Sequence, residues 1–305
     1  MKKLFQGTYT AIITPLTAED KIDWQAMERL IEKQIEGGIT GIVFVGTTGE
    51  SPTLSHEEHY EILRKSVKIA DGRCQVIHGT GSNNTKEAIA LARVSAESGA
   101  DGQLVVNPYY NKPTQEGLFA HFSAIADATD LPIILYNIKG RSAINLETPT
   151  LLRLAKHPNI VGVKEASGDI AQITDVIEQT DDSFSCLSGD DAMTLPLMAL
   201  GGDGVVSVIS NVVPRAMSDM VKSAQMGNLV LAQQQFYQLL PLMRFSFMES
   251  NPIPVKELLA ELGYCEPHMR LPLCRATQAT QEAIQEMLTQ VAELEPDTDA
   301  GVSIF

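Results

Sequence analysis

Short runs of β-branched and aliphatic residues recur along the chain, and an amphipathic stretch follows many of them. Runs that read as strands begin near Thr8 (TYTAIIT), Gly41 (GIVFVG), Gln75 (QVIHGT), Gly102 (GQLVVN), Pro132 (PIILYN), Ile160 (IVGVKE), Phe184 (FSCLSG) and Gly204 (GVVSVI). Segments 24–36, 56–70, 85–98 and 115–128 between them carry a helical repeat of apolar positions. The strand runs are continuously apolar rather than alternating, so both faces of each strand should be buried, as in a parallel sheet covered by helices. Strand–helix units repeated in this way predict a (β/α)8 TIM barrel. A doubly wound sheet would put a glycine-rich phosphate turn after its first strand, where this chain has Thr14-Pro15-Leu16.

Beyond the last strand run the chain reads helical over 214–226, 229–243, 254–262 and 277–294. We expect a barrel over 1–225, a C-terminal helical extension over 226–292, and an acidic, unpatterned tail over 293–305 that frays. Composition sharpens this picture. The chain has 305 residues, 44% of them hydrophobic but only 6% aromatic, so the core must be aliphatic. Its formal net charge of −15 argues against nucleic acid and anionic membrane surfaces as partners. Cys74, Cys186, Cys265 and Cys274 show no paired spacing, which points to a reducing compartment and away from a zinc ribbon. Neither a signal-peptide pattern nor a membrane-length apolar run is present, so a cytoplasmic location is expected.

In a barrel of this kind, chemistry gathers where strands end. The strand ends offer Thr47, Thr48, Asn107, Tyr136, Lys164, Gly189 and Ser207. Lys164 is the odd one, a lysine closing the apolar run Ile160–Lys164. Pointing inward, it would lose solvation, favour the neutral amine and become a usable nucleophile; pointing outward, it would be a solvated residue or a partner of Glu165. The loop Gly46-Thr47-Thr48-Gly49-Glu50-Ser51 combines two hydroxyls with glycines that let backbone N–H groups approach an anion. It lacks the Gly-Lys-Ser/Thr ending of a Walker loop and could equally be a plain turn. With Tyr136 and Arg141 nearby in sequence, the set suits amine catalysis on a carboxylated carbonyl compound.

These pieces have a familiar combination. GTTGES (46–51), GTGSNNT (79–85), NPYYNKP (107–113), ILYN (134–137), GVKEASGD (162–169), LSGDDA (187–192), GGDGVVSV (201–208) and NPIPVK (251–256) resemble the dihydrodipicolinate synthase family, whose superfamily includes N-acetylneuraminate lyase. The resemblance runs from Phe5 to about Leu273. It implies that Lys164 forms a Schiff base with pyruvate and that Tyr136 shuttles protons. Thr48 would link Tyr136 to a Tyr110 reaching in from a neighbouring subunit. The resemblance assigns pyruvate binding to Thr47, Thr48 and the backbone of Val206, places Gly189 among the substrate-binding positions near the active site, and gives the carboxylate of L-aspartate 4-semialdehyde to Arg141. A guanidinium fork matches two carboxylate oxygens better than an ammonium does. No metal or organic cofactor is implied.

The same resemblance implies feedback inhibition by L-lysine at Ser51, His56, His59, Asn83, Glu87 and Tyr109, and a homotetramer built as a dimer of dimers. From spacing alone, His56 to His59 simply opens a helix capped by Ser55, and the histidines do not stand four apart as in a zinc HExxH site. One departure stands out: Ile138-Lys139-Gly140-Arg141-Ser142 replaces a usual Val-Pro-Gly-Arg-Thr. Without the proline, φ is freed and the Arg141 loop should be held less rigidly. The alternatives are a related lyase for a 2-oxo sugar acid and a non-catalytic lysine- or pyruvate-binding protein. An anionic substrate also requires local cations to overrule the acidic whole, which screening within roughly 8 Å permits.

Overall fold

The structure, a computed structural model, describes residues 3–296. Eight parallel strands close into a barrel in sequence order: β1 (Gly7–Ala11), β2 (Gly41–Phe44), β3 (Gln75–Gly79), β4 (Gly102–Val106), β5 (Ile133–Asn137), β6 (Ile160–Glu165), β7 (Ser185–Ser188) and β8 (Gly204–Ser207). Closure is the pairing of β1 with β8, in register from Gly7 opposite Gly204 to Thr10 opposite Ser207. Outside lie α1 (Trp24–Glu36), α2 (His56–Ala70), α3 (Thr85–Glu97), α4 (Gln115–Ala126), α5 (Lys139–Ser142), α6 (Thr148–Leu154), α7 (Ile170–Gln179), α8 (Thr194–Ala199), α9 (Pro214–Gln225), α10 (Leu229–Phe245), α11 (Ile253–Glu261) and α12 (Gln278–Leu294). The fold is the expected (β/α)8 barrel with added C-terminal helices. β5 starts after Pro132 because proline has no N–H for the ladder; its carbonyl accepts from the N–H of Gln103 at 2.8 Å.

Two apolar layers share each strand. Val43, Ile77, Leu104, Ile134 and Tyr136 fill the barrel interior with Phe5, Tyr9, Leu187 and Val206. Their neighbours Ile42, Phe44, Val76, Val105, Ile133, Leu135 and Val163 face outward under the helices. Both faces are therefore apolar, which is why the strands read as unbroken runs. The first four helices start at side-chain caps: Asp23 on Ala26, Asn84 on Lys86, Thr114 on Gly117, and at Ser55 a full capping box with Glu58. Each cap satisfies N–H groups that the helix leaves orphaned.

The extension is welded to the barrel. α10 packs against α9 and α12, and α11 buries Val255, Leu258 and Leu259 in the outer core. The expectation of a loose tail from residue 293 needs correction where the chain is described. Glu293 and Leu294 complete α12, and the buried Glu295 accepts the N–H of Ala216 at 3.1 Å. Ala216 lies in the first turn of α9, where free N–H groups and the helix dipole favour a carboxylate. Residues 297–305 lie outside the described residues. Among the described residues no helix is long and apolar enough to cross a membrane.

Candidate active site

Side-chain parity on β6 decides where Lys164 points. Val163 belongs to the outer core, so Lys164 must face the interior, opposite Tyr136 on β5. Glu165 accordingly faces out. It accepts hydrogen bonds from Asn137 at 3.3 Å and from the N–H of Ser167 at 2.8 Å, so it is not the partner of Lys164. Lys164 is only 6% exposed, and its Nζ stands 4.1 Å from the centre of the Tyr136 ring. Burial pulls its ammonium down to about 7; the Asp191 carboxylate resists this and the Arg141 charge adds to it. At neutral pH much of the side chain is then the free amine that can attack a carbonyl carbon.

Gly189 packs directly on this lysine. A Cβ there would come 3.0 Å from Cε and 3.1 Å from Cγ of Lys164, and 2.7 Å from Cβ of Ala166. Glycine is thus required by close approach, and its backbone forms part of the wall beside the amine. Asp191 lies behind the same wall. Its carboxylate accepts the N–H groups of Val208 at 2.9 Å and Ile209 at 3.1 Å, and burial lifts it to about 6. Above that pH it is an anion favouring the charged lysine. Imine formation with a 2-oxo acid should therefore rise with pH through about 7 and then level off. In Asp191→Asn, which keeps the acceptor for both N–H groups, the midpoint should move down by about one pH unit. The rate of borohydride-trappable imine formation against pH measures it, and an unmoved midpoint would exclude this influence.

Lys164 opens into a cavity of about 290 Å³ that Thr47, Thr48, Tyr136, Arg141 and Asn251 also line. Burial pushes the Tyr136 phenol up to about 12, countered by the Arg141 charge and a hydrogen bond with Thr47. Tyr136 is therefore a protonated donor at neutral pH. The expectation that Thr48 bonds Tyr136 needs correcting, since Thr47 is the partner. Thr48 is buried and its hydroxyl accepts instead from Asn251 Nδ2 at 2.9 Å. The two threonines follow each other in a turn, so their side chains diverge, one toward β5 and the other toward the segment before α11.

That turn is anchored from far away in the chain. Lys256 on α11 reaches Glu50 Oε1 at 2.5 Å and the carbonyl of Thr14 at 2.9 Å, and the Thr14 hydroxyl donates to the carbonyl of Gly49 at 2.7 Å. Arg141 is exposed, and its Nη2 donates to the carbonyl of Asn251 at 3.2 Å. The loop carrying it is closed rather than loose. Residues Lys139–Ser142 form a helical turn, with Ser142 N–H on the carbonyl of Ile138 at 3.0 Å and Ala143 N–H on that of Lys139 at 2.9 Å. These bonds use the N–H groups of Ser142 and Ala143, which a proline at 139 would leave in place, so the turn closes without a fixed φ at that position. Asn251, Lys256 and Asp191 were missed as functional residues by sequence reasoning. For Asn251 and Lys256 the one signal was an amide or charged group within the apolar, proline-flanked run Asn251–Lys256, and Asp191 offered none in its polar turn.

Two of the remaining candidates are not among the residues that line this cavity. Val206 is buried in the barrel interior among Tyr9, Leu187 and Tyr136. Tyr110 is 90% exposed with φ 72°, its ring in solvent and outside the cavity of its own barrel. Asn107 and Ser207 are structural: Asn107 donates to Asn137 at 2.9 Å, and Ser207 accepts the N–H of Ser210 at 3.0 Å.

All six residues expected for an effector gather beside the rim of the cavity, which Ser51 and Tyr109 line. His59 contacts the carbonyl of Ser51 at 3.0 Å, His56 meets Glu87 at 3.2 Å, and Asn83 donates to the carbonyl of Tyr109 at 3.2 Å. Ser82 donates to the other oxygen of Glu87. Burial holds His59 below its ordinary value. Among the described residues, no group of three or more His, Cys, Asp or Glu could hold a metal.

Comparison with known proteins agrees with this geometry. The family model described as the dihydrodipicolinate synthetase family matches residues 4–291. The 4-hydroxy-tetrahydrodipicolinate synthase of Leptospira biflexa is 49% identical over 291 residues, covering 95% of this chain and 99% of the relative. Among solved structures, the dihydrodipicolinate synthase of Acinetobacter baumannii complexed with pyruvate superposes with a TM-score of 0.92 at 42% identity, over 94% of this chain and 99% of that one. The enzyme of Cyanidioschyzon merolae with lysine bound gives a TM-score of 0.91 at 41% identity, over 95% and 99%. The chain is a lyase and belongs to the dihydrodipicolinate synthetase family.

Proposed function

We propose that this chain condenses pyruvate with L-aspartate 4-semialdehyde through a Schiff base on Lys164, in lysine and diaminopimelate biosynthesis in the cytoplasm. The observation that carries the reading is the buried amine brought to about 7 at the floor of a cavity with Tyr136 and Arg141. The neutral amine adds to the keto carbon of pyruvate, and the carbinolamine loses water as Tyr136 and Thr47 relay the protons. The iminium then acts as the electron sink, so the methyl carbon loses a proton and becomes an enamine that adds to the aldehyde carbon. The amino group of the second substrate next attacks the imine carbon, and Lys164 departs as the ring closes. In this reading Thr47, Thr48 and Gly189 border the pyruvate, Val206 contributes only its backbone from β8, and Arg141 receives the second carboxylate. No metal or organic cofactor is needed for this sequence.

Tyr110 completes the relay from a neighbouring subunit in this reading, and its full exposure on its own chain supports that. The assembly is then a homotetramer, a dimer of dimers. L-Lysine binds at Ser51, His56, His59, Asn83, Glu87 and Tyr109, its ammonium on Glu87. The lysine-bound relative supports this reading. Glu87→Ala should weaken inhibition by L-lysine at least about tenfold, because a charge-assisted hydrogen bond is lost. Inhibition of that variant at the wild-type lysine concentration would remove the site.

Pyruvate with borohydride should leave a reduced adduct on Lys164, found by peptide mass mapping. Ring formation from pyruvate and the semialdehyde should then proceed, while cleavage of N-acetylneuraminate should not. The reverse pattern would reassign the chain to sugar-acid lyases.

A further inference from the structure

The cavity contains a polar residue with no role in the chemistry above. Asn251 precedes α11, is buried, and faces the cavity beside Lys164, Thr48 and Arg141. It makes two bonds to the site: Nδ2 donates to Thr48 Oγ1 at 2.9 Å, and its carbonyl accepts Arg141 Nη2 at 3.2 Å. Its Oδ1 is buried without a partner among the described residues, so the amide has one side-chain bond, the one to Thr48.

That bond has a direction. A threonine hydroxyl has one proton and two lone pairs. With the amide N–H on a lone pair, the proton of Thr48 cannot point at Asn251. Among the described residues no acceptor takes it, and it is left to face the cavity. We propose that Asn251 is a positioning residue, whose side chain presents the Thr48 hydroxyl as a donor to the carboxylate of the 2-oxo acid on Lys164. Its backbone carbonyl at the same time aims Arg141 at the second carboxylate. One residue thereby sets both anion contacts from outside the barrel strands, and it does so without touching the reacting carbon. This rests on the pyruvate reading above.

The test uses the half-saturating pyruvate concentration for the borohydride-trapped adduct on the full-length protein, which needs no second substrate. Asn251→Ala should raise it about fivefold, because Thr48 loses its orientation. In a Thr48→Val background the same substitution should add nothing, which a general structural role would not produce. Asn251→Asp can only accept at neutral pH, so it should draw the Thr48 proton away and raise the concentration about tenfold or more. Wild-type-like saturation in Asn251→Asp, or an equal effect of Asn251→Ala in both backgrounds, would overturn the proposal while leaving the Schiff base standing. Absence of any adduct on the wild-type protein would overturn the pyruvate reading itself, and this inference with it.

Discussion

Lys164→Ala should lose all borohydride-trappable pyruvate and lower kcat/KM by at least about a thousandfold, the usual order when a covalent nucleophile is removed. Lys164→Arg should fare no better, since a guanidinium stays protonated at any working pH. Among the described residues no other lysine lines the cavity. Lys256, also fully buried, has its Nζ committed to Glu50 and to the carbonyl of Thr14. The exposed Lys139 does not line the cavity. Stability should change little, because the side chain borders an existing cavity and its charged form was already disfavoured by burial. Adduct mass mapping with steady-state kinetics decides the matter; trapping on Lys164→Ala at the wild-type level would remove the mechanism.

Lys256→Met should be the most destabilising single change near the site, by about 3–5 kcal/mol, since it strands the Glu50 carboxylate in the core. Both side chains of this pair are 0% exposed, and Glu50 Oε2 has no partner among the described residues. Glu50 also holds a left-handed backbone at φ 55°, a conformation that the ion pair keeps in place. Pairing the change with Glu50→Gln should restore much of the loss, because no buried charge is then left alone. Activity should not return in parallel. The turn bearing Thr47 and Thr48 would have lost its tie to α11, so the KM for pyruvate should stay high. Urea unfolding of the single and double variants, read beside that KM, separates the two effects. A loss under about 1 kcal/mol in Lys256→Met would show that the pair contributes little.

The acidic net charge of −15 and the anionic substrates proposed for this chain are compatible for a local reason. The cavity places Lys164, Arg141 and the hydroxyl-bearing Thr47 and Thr48 together, and charges elsewhere on the surface are screened within roughly 8 Å. The charge of the whole chain is a sum over its surface. It does not describe this pocket.

The barrel was legible because its signals are local. An unbroken apolar run marks a strand covered on both faces, and the end of the run marks the rim where chemistry sits, which singled out Tyr136 and Lys164. Capping at Ser55 was legible for the same reason, since the box spans a single helical turn. Short helices such as α6 and α8 were not, being too brief to show a period. The sequence by itself therefore determined the eight-fold strand order, the helical extension and the identity of the unusual lysine. Only the tertiary structure decided that Lys164 faces inward and Glu165 outward, that Thr47 rather than Thr48 serves Tyr136, and that Arg141 rests on Asn251. It also decided that Asn251 reaches Thr48 across 203 positions of sequence and Lys256 reaches Glu50 across 206. Those contacts exist because closing β1 against β8 brings the segment after the barrel over the mouth formed by β2 and β5, and no periodicity within either segment records that meeting.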